Sequence, residues 1–298
     1  MSAVKQLNRV ASNPVVSCNE FLQPFLKWAG GKRQLIPKIR ALLPRKYRLY
    51  FEPFVGAGAL LFELQPAMAV INDMNAELIN CYEVIKAFPE QLLEHARSHP
   101  INKKYFYRLR SQDRDPGFAK LSPLERASRI IFLNKTCYNG LFRVNSRGQF
   151  NVPFGKYRDP RVVDDNVIRA VSQYLNEAQV QIRNEDFEVA LKDAKRDDFI
   201  YLDPPYDPLS DTSSFTGYYL PSFDRTEQRR LRDVCDDLHK RGCKLLLSNS
   251  ATDFIRELYS DNSKYTIINV NANRSINSAR NGRGKVSELL ILNNYTRR

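Results

Sequence analysis

The stretch that decides the fold is Asp198-Phe-Ile-Tyr-Leu-Asp-Pro-Pro-Tyr206. Its apolar run reads as a short strand buried on both faces, the pattern of a parallel sheet covered by helices. Asp203 closes the strand, and the two prolines stiffen the turn while removing two backbone donors. Six further segments read as strands: 49–54, 69–73, 180–187, 244–249, 265–270 and 287–293. Helical patterns separate most of them. Residues 227–241 place Leu231, Val234, Cys235 and Leu238 on one face, with Gly242 as the terminator. Strands alternating with helices predict an α/β fold with a mostly parallel, seven-stranded sheet.

About 105 residues separate the second strand from the third, far more than a crossover needs, so a domain is inserted there. The insert opens with the basic, Tyr-rich Asn102–Asp115 and continues into a helix with Ser122 as N-cap, Pro123 at its first position and Glu125 completing a capping box. A Gly/Asn-rich stretch, CYNGLFRVNSRGQFNVPFGKY, follows from 137 to 157. The expected organisation is an N-terminal tail (1–24), a catalytic domain (25–85 and 171–298) and an inserted recognition domain (86–170).

Composition narrows the class. A chain of 298 residues with 43% hydrophobic residues supports a core, and 27% charged residues with ordinary Gly and Pro content exclude a disordered or collagen-like chain. The sequence holds no run of 18 apolar residues and no secretory leader pattern. Five cysteines, at 18, 81, 137, 235 and 243, are odd in number and form no CxxC, which points to reduced thiols in a cytoplasmic protein. His95 and His99 are four apart on a helix but have no third ligand, so they read as solvated helix residues and no metal is expected. The net charge is +13. Residues 86–170 carry 17 basic and 8 acidic side chains, residues 269–298 carry 6 and 1, and the rest is close to neutral. A neutral body with two basic segments fits a polyanion held on one face.

Three motifs carry chemistry. At Asp203-Pro204-Pro205-Tyr206, a carboxylate and free carbonyls converge at the carboxyl end of a strand, where ligands of open α/β sheets sit. Two acceptors beside an aromatic face suit a planar NH2 group such as a nucleobase amine, with Tyr206 stacking on the base. Phe54-Val55-Gly56-Ala57-Gly58 lets the backbone pass close to a ligand at a helix start. Asp73, at the end of the next strand, stands where a ribose diol is commonly held. Together these fit a nucleoside cofactor without a pyrophosphate. Lys27-Trp28-Ala29-Gly30-Gly31-Lys32 contains the chain's one Trp and lacks the Walker spacing, which argues against ATP.

These motifs stand in one order: FLKWAGGKRQL, YFEPFVGAGAL, INDMNAELINCY, the 137–157 stretch, YLDPPY and LSNS. In that order the chain resembles the Dam family of DNA adenine-N6 methyltransferases, the α group of amino-methyltransferases, and most of all the GATC-modifying enzymes of restriction–modification systems. The resemblance runs from about Phe25 to Tyr295. It implies the S-adenosylmethionine-dependent methyltransferase sheet, with an antiparallel last strand and a helical target-recognition domain inserted before YLDPPY. The implied cofactor is S-adenosylmethionine, contacted by Trp28, Lys32, Phe54, Gly56, Gly58, Asp73 and Asp203, with Asp186 and Phe187 at its adenine end.

The implied substrate is double-stranded DNA with its target adenine flipped out, an event that costs a few kcal/mol of stacking and pairing. Asp203 and the carbonyl of Pro204 would hold N6, Pro205 would shape the turn and Tyr206 would stack on the base. In the recognition stretch the resemblance implies Arg143 on a guanine edge, Tyr138, Asn139 and Leu141 supporting recognition and filling the opened stack, Pro153 near a thymine methyl, and Lys27 on the other guanine. Phe142 departs from the family pattern. The expected setting is a monomer on bacterial or phage DNA, with a cognate restriction endonuclease as genetic partner. The alternative keeps the fold and cofactor but methylates an NH2 group of RNA or protein; a catalytically inactive DNA-binding relative is disfavoured by the intact FVGAG, Asp73 and Asp203.

Overall fold

The computed structural model describes residues 19–28, 32, 34–209, 223–273 and 285–297. Most of the N-terminal tail, Ala29 and both glycines of WAGGK, residues 210–222 and the basic run at 274–284 lie outside these residues. The strands are β1 (Tyr50–Glu52), β2 (Met68–Asn72), β3 (Gln179–Arg183), β4 (Phe199–Leu202), β5 (Lys244–Ser250), β6 (Tyr265–Asn273) and β7 (Lys285–Asn293). They form one sheet in the order β3-β2-β1-β4-β5-β7-β6. Neighbours are parallel except β7, which runs antiparallel to both β5 and β6. The chain moves outward from β1 to β3, then returns to lay β4 beside β1. The carboxyl ends of β1 and β4 therefore flank the switch point, where a crevice opens.

The helices are α1 (Ile36–Ala41), α2 (Ala59–Leu64), α3 (Ala76–Ala87), α4 (Pro89–Arg97), α5 (Lys103–Ser111), α6 (Pro123–Thr136), α7 (Asp165–Glu177), α8 (Phe187–Ala190), α9 (Arg225–Lys240) and α10 (Asp253–Leu258). None of them is long and apolar enough to cross a membrane. Alternation along each strand sorts the core into two clusters. Tyr50, Ala69, Ile71, Phe199 and Tyr201 face α3, α7 and the inserted helices. Phe51, Val70, Ile200, Leu202, Leu245 and Leu247 face the opposite way, toward α8, α9 and α10. Each buried Val, Leu, Ile or Phe among them contributes about 1.5–3 kcal/mol of burial.

The insert shares the first cluster: Phe106, Leu109, Ile130, Ile131 and Phe132 are continuous with Leu78, Tyr82 and Val171. The segment 86–170 begins at the end of α3 and ends within α7. The capping box of α6 is formed as the sequence predicts, with Glu125 N donating to Ser122 Oγ and the Glu125 carboxylate accepting from Ser122 N at 2.8 Å. Two expectations change. The third strand ends at Arg183, because Asp186 leaves the ladder to cap α8, accepting from Glu188 N at 3.0 Å. His99 is buried, bonded to the hydroxyls of Tyr105 (2.5 Å) and Ser128 (2.8 Å), so it cross-links α4, α5 and α6 instead of facing solvent.

Candidate functional site

The site gathers at the carboxyl ends of β1, β2, β4 and β5. Asp203 follows β4, and two groups grip its Oδ1: the Lys32 ammonium at 2.9 Å and Ser248 Oγ, which donates at 2.8 Å from the adjacent strand β5. The same ammonium stands 4.4 Å from the centre of the Tyr206 ring. A charged, hydrogen-bonded contact of this kind is roughly twice as strong as a neutral one. The carboxylate and the ring thus already cradle a nitrogen donor.

The turn is fixed from behind by residues that sequence reading did not assign. Gln228 Nε2, on α9, donates to the Pro205 carbonyl at 2.8 Å. Asn249 Oδ1 accepts from Asp207 N at 3.1 Å while Asn249 Nδ2 donates to Gln228 at 3.0 Å. Ser250 Oγ donates to the Asp207 carbonyl at 2.6 Å. The signal for this was LSNS: polar residues closing an apolar strand next to the one that ends in Asp203. Because β7 pairs antiparallel with β5, Glu288 lies opposite Ser250 and accepts the Tyr206 hydroxyl at 2.9 Å. That bond sets the plane of the ring.

Across the switch point, Gly56 and Gly58 both adopt left-handed backbone, at φ +51° and +72°. A Cβ on Gly56 would stand 3.0 Å from Trp28 Cδ1, so a side chain there would displace the indole. Asp73 Oδ2 accepts from Gly56 N at 3.1 Å and Oδ1 accepts from Asn75 N at 2.9 Å. Burial pushes the Asp73 carboxyl up to about 6, against the opposing pull of those two amides. Asn72 ties the neighbouring loops, donating to the carbonyls of Pro53 and Glu185 at 3.0 and 2.9 Å. Beneath them Glu52 is buried and accepts the Tyr50 hydroxyl at 2.8 Å. Burial lifts its carboxyl to about 8, against the opposing pull of the Tyr50 hydroxyl and with the nearby Asp203 charge adding to the rise.

Phe54, Phe187 and Phe223 form an aromatic wall, with ring centroids 5.5–5.8 Å apart. Asp186 stands beside it in a two-pronged pair with Arg230, at 2.7 and 3.0 Å. Burial opposes the Asp186 charge, but the guanidinium outweighs it and holds the carboxyl below its usual range. The group so assembled fits a nucleoside ligand: an anionic acceptor, close-approach backbone and a flat apolar wall.

The residues expected to meet DNA gather around the 137–157 stretch. Tyr138 and Asn139 are exposed, Asn139 with φ +56°, and Leu141 is half-buried. Tyr138 N donates to the carbonyl of Pro153 at 2.8 Å, placing the two strands of the hairpin side by side. Arg143 is exposed, and its Nε donates to Asn151 Oδ1 at 2.8 Å. Asn151 N donates to the Arg143 carbonyl at 3.0 Å, so one residue fixes both the backbone and the fork. The hairpin rests on the buried Arg129–Asp113 pair at 2.9 Å, whose carboxylate accepts Phe150 N at 2.7 Å. Lys27 is exposed beside the hairpin, 5.4 Å from the Tyr157 ring centre. The donor-side residues thus gather around the ends of β1, β2 and β4 and the recognition-side residues around 137–157, with Trp28 touching both groups and Asp186 paired with Arg230.

Comparison with known proteins accords with this arrangement. The family model described as D12 class N6 adenine-specific DNA methyltransferase matches residues 28–276. The chain is 48% identical over 274 residues to "Type II methyltransferase M1.LlaDCHI" of Lactococcus lactis subsp. cremoris, covering 91% of this chain and 95% of that protein. It is 39% identical to "Type II methyltransferase M.MjaIII" of Methanocaldococcus jannaschii, covering 91% and 99%. It is 34% identical to the "DNA adenine methylase" of Escherichia coli strain K12, covering 90% and 94%.

Proposed function

The chain belongs to the D12 class of N6 adenine-specific DNA methyltransferases, and from that premise we propose that it transfers the methyl group of S-adenosylmethionine to N6 of a flipped adenine, within GATC in duplex DNA. The observation that carries this reading is the cradle of Asp203 and Tyr206, which holds the Lys32 ammonium at 2.9 Å from the carboxylate and 4.4 Å from the ring centre. An adenine amine has the same need for an acceptor and an aromatic face.

The donor, when bound, supplies an electrophilic methyl group. Asp73 would accept its ribose hydroxyls, Phe54, Gly56 and Gly58 of the FVGAG loop would line its methionine portion, and Asp186 and Phe187 would meet its adenine end. The chain's own chemistry is positional. An exocyclic amine is a poor nucleophile because its lone pair is delocalised into the ring. Accepting its two N–H bonds at Asp203 and at the Pro204 carbonyl favours a pyramidal nitrogen whose lone pair points away from both acceptors, at the donor. As the new N–C bond formed and the donor's C–S bond broke to leave a neutral thioether, one N6 proton would pass along the hydrogen bond to Asp203. Tyr206 holds the base by stacking, worth about 1–3 kcal/mol. Preorganised acceptors lower the barrier without moving during the reaction.

On the DNA side, Arg143 would bond the O6 and N7 edge of a guanine, with Lys27 at the other guanine, Pro153 near a thymine methyl, and Tyr138, Asn139 and Leu141 at the opened stack. One flipped base needs one site, so the proposed working form is a monomer acting on cellular or phage DNA. The high identity to a Type II enzyme supports a role beside a cognate restriction endonuclease. The test is labelled methyl transfer to duplex DNA in competition with structured RNA. Label recovered as N6-methyladenine from DNA is expected; preferential labelling of RNA would overturn the substrate assignment.

A further inference from the structure

Trp28 touches both halves of the site. Its indole stacks on Phe142, with ring centroids 4.7 Å apart and planes 22° from parallel, while its other edge meets Gly56 of the FVGAG loop. The residue before it is bolted to the hairpin. Lys27 N donates to Asn134 Oδ1 at 2.9 Å, and Asn134 Nδ2 donates to the carbonyls of Lys27 (2.8 Å) and Gly140 (3.0 Å). Asn134 is fully buried, so these bonds are expensive to break. Phe142 is itself buried and meets Phe150 of the facing strand at 5.7 Å.

Successive side chains of an extended segment point to opposite sides. Phe142 faces inward to Trp28, and the next residue, Arg143, is exposed. The Phe142 ring is wedged between Trp28 and Phe150, so a shift of Trp28 that it must follow displaces the Phe142 backbone and, with it, Arg143. Close-packed contacts without slack pass such shifts on instead of absorbing them.

We propose that Phe142 is a positioning residue which, through its stack on Trp28, couples occupancy of the methyl-donor pocket to the presentation of Arg143 to its base. The proposal rests on the reading of Trp28 as a donor contact and Arg143 as a base reader. A ligand lying against Gly56 fixes the indole, the indole fixes Phe142, and the hairpin is held in its reading position. By thermodynamic linkage the effect is reciprocal: the correct DNA sequence tightens donor binding by the same factor.

The experiment measures duplex affinity with and without S-adenosylhomocysteine, which cannot transfer a methyl group, using one duplex with GATC and one with GTAC. Trp28 is the chain's single tryptophan, so its emission reports the stack directly. In the wild-type protein S-adenosylhomocysteine should raise the preference for GATC by about 5- to 150-fold, the usual range of coupling between sites. Phe142→Leu should bring that factor close to one while binding S-adenosylhomocysteine alone nearly as well, and Phe142→Tyr should restore most of it. Phe142→Met serves the same comparison if the leucine variant loses its thermal transition. A leucine or methionine variant that keeps the wild-type factor overturns this proposal alone. Wild-type protein that fails to bind S-adenosylhomocysteine, or has no preference for GATC, overturns the proposal together with the reading beneath it.

Discussion

The Lys32 ammonium stands 2.9 Å from Asp203 Oδ1 and 4.4 Å from the Tyr206 ring centre, so one nitrogen donor fills the angle between a carboxylate and an aromatic face. Ser248 completes the geometry by donating to the same carboxylate oxygen at 2.8 Å. Asp203→Ala should lower methyl transfer by at least about 10²–10³-fold, the cost of losing one preorganised polar group, with the melting temperature close to wild type. Ser248→Ala should cost about tenfold, the kinetic equivalent of one hydrogen bond. Single-turnover rates separate the two. An Asp203→Ala enzyme near wild-type rate would remove the cradle from the mechanism.

Asp73 predicts a pH effect on donor binding. Burial raises its carboxyl to about 6, and the proposed contact to the donor's ribose hydroxyls needs the carboxylate form. Above that pH the acceptor is fully present; as pH falls through 6 it is protonated and lost. Donor affinity should be flat from pH 7 to 8 and then weaken by up to tenfold per unit below about 6. Calorimetric titration across pH 5–8 checks this, with Asp73→Asn expected to bind weakly and show no such slope.

Arg143 Nε donates to Asn151 Oδ1 at 2.8 Å, which fixes the fork that is proposed to meet a guanine. Arg143→Ala should relax discrimination at one guanine by about 1–3 kcal/mol. Comparing kcat/KM on singly substituted sites tests this. Equal losses on all sites would make Arg143 a phosphate contact.

His99 ties acid stability to the inserted helices. Burial, with the neighbouring His95 charge adding to it, lowers its pKa from 6.5 to about 4, so the folded chain holds it neutral while the unfolded chain protonates near 6.5. The unfolded state binds more protons between those values, so stability is whole above 6.5 and declines as pH drops toward 4. At pH 5 the loss should be about 2 kcal/mol. Urea midpoints at pH 5 and 7.5 measure it, and His99→Gln should show a smaller difference between the two. An unchanged difference would place the acid sensitivity elsewhere.

Much of this was legible in the sequence because local signals were unambiguous. Phe199–Leu202 is apolar throughout and ends in Asp203, so strand, direction and site follow together. Ser122, Pro123 and Glu125 spell out the start of α6, and the structure forms every bond they imply. What stayed hidden depends on contacts distant in sequence. Asn134 joins Lys27 across 107 residues, and no local pattern marks it. Trp28 meets Phe142, a position the family pattern leaves unassigned. His99 looks solvated in the sequence because it stands four residues from another histidine in a polar stretch; in the structure it follows the end of α4 and its partners Tyr105 and Ser128 belong to α5 and α6. The third strand ends earlier than the sequence suggests because Asp186 caps the helix Phe187–Ala190, a role that shows only in its bond to Glu188 N.

The most direct test is transfer of labelled methyl from S-adenosylmethionine to two duplexes that differ only in carrying GATC or GTAC, read by digestion to nucleosides. The account predicts label on the GATC duplex alone, recovered as N6-methyladenine, and its loss with Asp203→Ala. Equal labelling of both duplexes, or label on a nucleoside other than adenine, would contradict it.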